Sequence, residues 1–333
     1  MTLGELGERG LIERIRRRLG PPGAGVCLGI GDDAAVVAWP AGNLLLTVDT
    51  VLEDVHFRRS TSTLRDVGAK ALAVNLSDVA AMGGEPRVAL VALALSPSSA
   101  VSDVDDLYTG ILDLATPHGV LLVGGDTCTS PGGLVLTITL AGRVGGPPLT
   151  RTGARPGDLI LVTGSLGAAA AGLASLEHGP VAAPDDVLAT VRNAHRRPTP
   201  RVAEGRVIRA AGGATAMIDL SDGLATDLGH IARESGTGAV VDLGALPVGE
   251  ATRAVARTLG TDPVAWAVSG GEDYELCFTA APEAARALVA RVSSETGTAV
   301  SVIGEIRPAT EGMRFVDHTG RPATVRPGFD HFV

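Results

Sequence analysis

Apolar residues recur along this chain at two spacings, one typical of helices and one typical of short strands. In the first half, the helical spacing predicts helices at 3–19, 63–82 and 101–118. Apolar runs in that half predict strands at 25–30, 34–39, 44–48, 88–95, 120–123 and 134–144. In the second half, strands are predicted at 159–163, 214–219, 239–243, 275–279 and 299–306, and helices at 168–177, 224–234 and 282–295. Helices that alternate with strands in both halves predict an α/β or α+β protein.

A segment rich in Gly, Pro and Arg, residues 142–158, separates the two halves. Segments of this composition are common at domain boundaries. A chain of 333 residues is also long for a single core. We therefore expect two domains, residues 1–148 and residues 149–333.

The composition limits the classes of protein that fit this chain. Hydrophobic residues make up 45% and charged residues 20%, which is ordinary for a folded globular protein. The longest apolar run, residues 88–95, is too short to span a bilayer, and residues 1–20 lack the apolar core of a signal peptide. We expect a cytoplasmic protein with no membrane partner. The net charge of −9 argues against a nucleic-acid partner, because such proteins carry basic patches.

Several of the predicted strands run into an aspartate that stands beside glycine or a small polar residue. These aspartates are Asp33, Asp49, Asp126, Asp219 and Asp222, and Asp78 lies in a helical pattern. Each one alone is more typical of a turn or a helix cap. Their recurrence in both halves indicates carboxylates gathered at one site, where they would repel one another unless a cation bound them. The pattern predicts Mg²⁺ and a polyanionic ligand.

Two other phosphate-binding patterns fit less well. Residues 29–34 imitate a dinucleotide-binding fingerprint, which requires a helix between two parallel strands. The stretch VVAWPAGN that follows contains Pro40 and is too short for that helix. The phosphate-binding loop GxxxxGK[ST] is excluded because the only lysine, Lys70, follows an alanine. Apart from histidines, all other basic residues are arginines. Lys70 either survives by chance or balances the acidic cluster, since it shares a broad helix face with Asp78.

With these residues assembled, the chain resembles the thiamine-monophosphate kinase family. The resemblance covers nearly the whole chain and rests on motifs in this order: GIGDDAA, TVDTVLEDVHF, KALAVNLSDVAAMGG, GGDT, LTRTGARPGD, IDLSDGL, SGGEDYELCF and GFDHF. It implies the two-domain fold of the aminoimidazole ribonucleotide synthetase superfamily, with ATP and Mg²⁺ in the cleft between domains. It also implies a homodimer in which the N-terminal sheets join into a barrel-like core, and a layered α+β C-terminal domain.

The resemblance also implies roles for particular residues. The implied Mg²⁺ ligands are Asp33, Thr47, Val48, Asp49, Asp78, Asp126, Asp219 and Asp222, although Val48 has no side-chain oxygen and offers only its backbone. The implied ATP contacts are Tyr108, Gly125, Asp126, Arg151 and Ser221, of which Tyr108 is matched by its distance from GGD rather than by a motif. The implied contacts to thiamine monophosphate are His56, Glu272 and Phe329. Asp49, Asp126 and Arg151 are the residues expected to act on the transferred phosphoryl group.

The implied reaction is in-line transfer of a phosphoryl group from ATP to thiamine monophosphate, which gives thiamine diphosphate. Three alternatives stay open at the level of the sequence, the third being the NAD-dependent oxidoreductase suggested by residues 29–34. One is another ATP-dependent enzyme of the same superfamily, of the selenophosphate synthetase or aminoimidazole ribonucleotide synthetase type. The second is a nucleotide-binding module without activity, although all its motif aspartates are present.

Overall fold

The computed structural model describes residues 2–21, 23, 25–28, 36–37, 39 and 42–329. The chain divides into two compact units. The first comprises Met1–Val79 and Glu85–Gly146, and the second comprises Ala80–Gly84 and Pro147–Val333. The predicted ligand Asp33 lies outside the described residues.

The first unit combines helices with one larger and one smaller sheet. Its helices are α1 (Leu3–Leu19), α2 (Leu64–Ala81), whose last two residues fall in the second unit, and α3 (Val101–His118). Its strands are β1 (Val26–Leu28), β2 (Val36–Val37), β3 (Asn43–Leu52), β4 (Glu85–Leu95), β5 (Leu121–Thr129) and β6 (Val135–Val144). β1 and β2 pair antiparallel, which is not the arrangement of a dinucleotide-binding βαβ unit.

The larger sheet of the first unit has one covered face and one exposed face. Its strand order is β3-β6-β4-β5, with β4 and β5 parallel and the other neighbours antiparallel. Alternate residues of a strand point to opposite faces. In β6, one such set, Leu136, Ile138 and Leu140, is fully buried.

Helix α2 lies against the covered face of this sheet. Thr47 of β3 is the register partner of Leu140, and its side chain contacts Asp78 of α2. The opposite face leaves large apolar side chains exposed, namely Leu44, Leu46, Val48 and Leu90. The two faces therefore differ in chemistry: one is packed by a helix, and the other presents apolar surface.

Helices α2 and α3 approach each other through two glycines. A Cβ atom at Gly68 would lie 2.0 Å from the carbonyl oxygen of Leu107, and one at Gly110 would lie 1.9 Å from that of Arg65. Nε of Arg65 also donates to a carboxylate oxygen of Asp113 at 2.7 Å. Glycine is therefore required at both crossing points, because any larger side chain would force the helices apart.

The second unit is built around a larger mixed sheet with helices on its flanks. Its helices are α4 (Ala168–Glu177), α5 (Asp185–Arg196), α6 (Val202–Ala211), α7 (Leu224–Ser235), α8 (Glu250–Leu259), α9 (Pro263–Ser269) and α10 (Pro282–Thr296). Its strands are β7 (Leu159–Thr163), β8 (Ala214–Asp219), β9 (Thr237–Asp242), β10 (Leu276–Ala280), β11 (Val300–Pro308), β12 (Met313–Val316) and β13 (Pro322–Ala323).

The sheet of the second unit has the order β13-β12-β9-β11-β7-β10-β8. β12 runs parallel to β9, and the other neighbours run antiparallel. The main core joins this sheet to α7 and α9, with Ile160, Leu228 and Ile303 fully buried. A second apolar cluster joins α4, α5 and α8. β10 is buried along its whole length.

Most predicted elements are present, and the differences have physical causes. The predicted bounds of α1 and α3 are confirmed. α2 begins as its sequence indicates, because Thr63 and Asp66 cap each other through their side chains and backbone N–H groups. Helices α5, α6, α8 and α9 were not predicted. Two of them have a proline at the start, because Pro184 immediately precedes α5 and Pro263 begins α9. Proline is typical of loops but is also well tolerated at the first position of a helix.

The structure also answers the question of a membrane segment for the part of the chain it describes. No helix among the described residues combines the length and the apolar character needed to cross a bilayer.

We expect the change Gly110→Ala to lower the free energy of unfolding by about 1–3 kcal/mol, because the new methyl group would overlap the backbone of Arg65. In an open helical position the same change would stabilise the protein. Gly132→Ala is the matched control, since a Cβ atom there meets nothing within 4 Å. Urea unfolding measures both variants. Equal midpoints for the two would show that the helices do not depend on this contact.

Candidate functional site

In the first unit, acidic and hydroxyl side chains meet where β3 faces α2. Oγ1 of Thr47 donates a hydrogen bond to Oδ2 of Asp78. Asp49 lies two residues further along β3, so it shares the face of Thr47. Val48 points to the opposite, exposed face. The structure therefore groups three of the predicted Mg²⁺ ligands and places the side chain of Val48 away from them.

The GGDT motif lies on another edge of the same sheet. Gly125 and Asp126 are in β5, and the strand order puts β5 and β3 at opposite edges. A Cβ atom at Gly125 would lie 1.9 Å from the carbonyl oxygen of Val91, so only glycine fits there. Asp126 is exposed. Three strand spacings of about 4.8 Å separate the two edges, so Asp49 and Asp126 of one sheet do not hold the same ion.

The expectation that strands end at these aspartates was wrong for Asp49 and Asp126. β3 continues to Leu52 and β5 continues to Thr129, so both aspartates lie inside strands. The cause is that strand pairing depends on backbone hydrogen bonds, which continue through polar residues as long as a neighbouring strand is present. For Asp219 the expectation is confirmed, because it is the last residue of β8.

Two further predicted residues of the first unit have well-defined surroundings. The backbone N–H of Leu52 donates to Nδ1 of His56 at 3.1 Å. Because Nδ1 accepts this bond, a neutral His56 carries its proton on Nε2. Tyr108 of α3 is almost completely buried, which raises the pKa of its hydroxyl group.

In the second unit, backbone hydrogen bonds join two loops. The N–H of Leu220 donates to the carbonyl oxygen of Glu275 at 2.8 Å. The carbonyl oxygen of Leu220 accepts from the N–H of Tyr274, also at 2.8 Å. The N–H of Glu272 donates to the carbonyl oxygen of Ser221 at 2.7 Å. Glu272 and Tyr274 both have positive φ angles, 59° and 51°. These contacts place Ser221 and Glu272 side by side.

The segment near residue 329 is tied to the same loops. The N–H of Phe329 donates to the carbonyl oxygen of Asp222 at 2.9 Å, and Oγ of Ser269 donates to that of Arg326 at 2.6 Å. A Cβ atom at Gly328 would lie only 2.0 Å from the carbonyl oxygen of Asp222. The aromatic side chain of Phe329 is 51% exposed beside this junction. The structure thus brings together Ser221, Asp222, Glu272 and Phe329.

A cluster of acids lies at the start of α7. Asp219 and Asp227 are buried, and Oδ2 of Asp227 accepts bonds from the N–H groups of Asp222 and Gly223 at 3.1 and 3.0 Å. Burial, followed by the charges of Asp219 and Asp222, raises the pKa of Asp227 to about 8. His230 completes a group in which one ligand atom each of Asp222, Asp227 and His230 lies within 4.8 Å of the others.

The carboxylate oxygens of this cluster fit Mg²⁺, which prefers oxygen ligands. The imidazole nitrogen of His230 is a less suitable ligand for this ion. Sequence reasoning missed Asp227 and His230. Their only signal is the spacing on α7, which places residues three apart on one helix face. Arg151 is also near, since its positive charge contributes to the lowered pKa of His230, after burial and Arg233.

Comparisons with known proteins identify the family to which this chain belongs. Residues 31–144 match the N-terminal domain of the AIR synthase related protein family, and residues 155–316 match its C-terminal domain. The chain is 40% identical over 331 residues to a thiamine-monophosphate kinase of Escherichia coli (strain K12), and the match covers 98% of each chain.

Solved structures of relatives share the fold. A crystal structure of thiamine-monophosphate kinase from Stenotrophomonas maltophilia K279a has a TM-score of 0.82 and 40% identity, covering 94% of this chain and 96% of that one. A structure of AaThiL complexed with AMPPCP and TMP has a TM-score of 0.77 and 32% identity, covering 100% and 99%. The predicted two-domain fold of this superfamily is confirmed.

We expect millimolar Mg²⁺ to raise the unfolding temperature of the metal-free protein by about 4 °C or more. The reason is that a cation would relieve the repulsion among Asp219, Asp222 and Asp227. Asp222→Asn should reduce this rise. Asp186→Asn, at an exposed position of α5, is the matched control and should keep it. Differential scanning fluorimetry with and without a chelator gives the comparison. The same rise in both variants would exclude Asp222 as a ligand.

Proposed function

This chain belongs to the thiamine-monophosphate kinase family, and we propose that it transfers the γ-phosphoryl group of ATP to thiamine monophosphate, which yields thiamine diphosphate and ADP. The observation that carries the proposal is the 40% identity over 98% of both chains to the Escherichia coli enzyme. The relative whose structure holds AMPPCP and TMP supports both substrates.

In the first unit, we assign the metal-binding role to oxygen atoms of Asp33, Thr47, Val48, Asp49, Asp78 and Asp126, with Val48 offering only its backbone. Thr47 and Asp78 are already in contact, and Asp49 shares their face. Gly125 and Asp126 would contact ATP, which the glycine permits because its backbone is not covered by a side chain. Tyr108 is the weakest of the proposed ATP contacts, since it is almost completely buried.

In the second unit, Asp219 and Asp222 would hold Mg²⁺, and Arg151 and Ser221 would contact the phosphates of ATP. The guanidinium group of Arg151 offers fixed positive charge to the transferred phosphoryl group. Glu272 and Phe329 would contact the cationic thiazolium part of thiamine monophosphate, through a carboxylate and an aromatic face. The hydrogen bonds that join their loops support this assignment.

The chemical difficulty of this reaction is charge repulsion. The acceptor is a phosphate oxygen that is already ionised near neutral pH, so no general base is required. The carboxylates assigned above would hold Mg²⁺, which would supply positive charge against this repulsion. The chain itself would hold the two phosphate groups in line. His56 would donate a hydrogen bond from its Nε2–H group to the phosphate of thiamine monophosphate. Its other ring nitrogen, Nδ1, already accepts a hydrogen bond from the backbone N–H of Leu52.

We also propose a homodimer, in which a second copy covers the exposed face of the sheet in the first unit. Three alternate residues of β3 are exposed there, and Leu46 is 68% exposed. Val48 and Leu90 extend the apolar surface across β6, since both are register partners of Thr139. A row of apolar side chains on an exposed sheet face is costly to leave in water.

The test of the function is ADP release from ATP and Mg²⁺ in the presence of thiamine monophosphate, with thiamine and buffer alone as controls. Release that requires both the monophosphate and the metal is expected. ATP binding without release would favour the nucleotide-binding module, and release with a different acceptor would favour another enzyme of the superfamily.

In this assay, Asp49→Asn and Asp126→Asn should each lower kcat by about a hundredfold or more, because each removes a charged ligand from a metal–phosphate complex. Both side chains are outside the buried core, so the unfolding temperature should stay close to that of the wild type. Asp103→Asn tests whether loss of any carboxylate in this unit has the same effect. Normal turnover in a folded Asp49→Asn protein would contradict the assignment.

For the dimer, we expect Leu46→Glu to convert the protein to monomers, because it places a charge on the apolar face at its most exposed residue. Val302→Glu is the matched control, since Val302 is an exposed apolar strand residue of the second unit. Light scattering coupled to size-exclusion chromatography measures both masses. A wild-type monomer, or a Leu46→Glu dimer, would reject this interface.

A further inference from the structure

A buried histidine of the second unit contacts one of the proposed substrate residues. His195 lies in the last turn of α5, and its side chain is 4% exposed. Its Nδ1 atom lies 2.9 Å from Oε2 of Glu272, an ion-pair distance, although the ring is not turned to the angle of a regular hydrogen bond. An ionised carboxylate only accepts hydrogen bonds, so the tautomer with N–H at Nδ1 is the one that suits this contact.

The neighbouring acids have other partners. The carboxylate of Asp273 accepts from the backbone N–H groups of Gly167 and Ala169, at the start of α4. The carboxylate of Glu275 is held by Arg201 through two contacts of 2.6 and 2.7 Å. Both acids are therefore engaged in contacts within the second unit.

Glu272 differs from these two acids in its backbone and its exposure. Its φ angle of 59° is in the left-handed region, which costs a non-glycine residue free energy, and such strained residues tend to cluster at functional sites. Its side chain is 26% exposed, so a ligand can reach it even though His195 contacts one of its oxygens.

A glutamate side chain has three rotatable bonds, and a ligand that binds to it must restrict them. A contact that already fixes the carboxylate reduces this entropic cost of binding. The Nδ1 atom of His195 is on a rigid element, because α5 packs into the apolar cluster with α4 and α8. The backbone bond from Glu272 to Ser221 fixes the other end of the residue.

We propose that His195 is a positioning residue that orients the Glu272 carboxylate toward the cationic part of thiamine monophosphate. This inference rests on the proposed function. It assigns His195 no contact with the phosphates or with ATP, so its loss should affect one substrate and spare the other.

The test uses the full chain with His195 replaced by Ala, Asn or Gln. His195→Ala should raise KM for thiamine monophosphate about tenfold, the usual effect of losing a polar contact to a charged group. KM for ATP should stay within about twofold of the wild type. His178→Ala is the matched control, since His178 is an exposed histidine at the end of α4.

The two amide variants separate positioning from packing. The side-chain NH₂ of Asn reaches the place of Nδ1, whereas that of Gln reaches the place of Nε2. His195→Asn should therefore restore KM for thiamine monophosphate, and His195→Gln should not. In a Glu272→Ala background, His195→Ala should have no further effect on KM, because the carboxylate that it positions is absent.

The outcomes distinguish this inference from the function on which it rests. A wild-type chain that releases no ADP with thiamine monophosphate overturns both. An active wild type whose His195→Ala variant keeps its KM overturns the inference alone. Equal defects in His195→Asn and His195→Gln, matched by equal losses in unfolding temperature, would also overturn it, because they would show that His195 only stabilises the fold.

Discussion

The proposed site in the second unit depends on backbone hydrogen bonds between two loops that are distant in sequence. One loop follows β8 and carries Ser221 and Asp222, and the other precedes β10 and carries Glu272. β8 and β10 pair antiparallel, and the last residue of β8, Asp219, lies opposite the first residue of β10, Leu276. The two loops therefore emerge at the same end of these strands. Their backbone contacts then set the positions of side chains that bear charge. The geometry of the acids therefore follows from strand pairing rather than from attraction between the side chains, which would repel one another.

The sequence identified the parts of this site that have local signals. Asp219 follows an apolar run, and α7 begins after a glycine, so both could be located from the chain alone. The pairing of the loops could not be located in this way. The bond between Glu272 and Ser221 joins residues that are far apart along the chain, and no periodicity within either segment records it.

The sequence also carries little or no signal for the roles of His195 and Asp227, because both depend on contacts with other parts of the fold. His195 belongs to a helix that was not predicted, because the proline before it suggested a loop. Its partner Glu272 lies in the motif SGGEDYELCF, and nothing in the sequence relates the two residues. Asp227 carries a weaker signal, since an aspartate in the first turn of a helix is most often an ordinary favourable charge. Burial gives it a different chemistry, and burial is a property of the fold.

The placement of Lys70 has a consequence for the chemistry of the protein surface. This single lysine lies on α2 and is 3% exposed, while every other cationic side chain apart from histidine is a guanidinium group. Guanidinium groups stay protonated at any pH that the fold tolerates. The surface therefore keeps its positive charges in alkaline solution, and reagents that acylate lysine amines, including common cross-linkers, find no exposed lysine to modify.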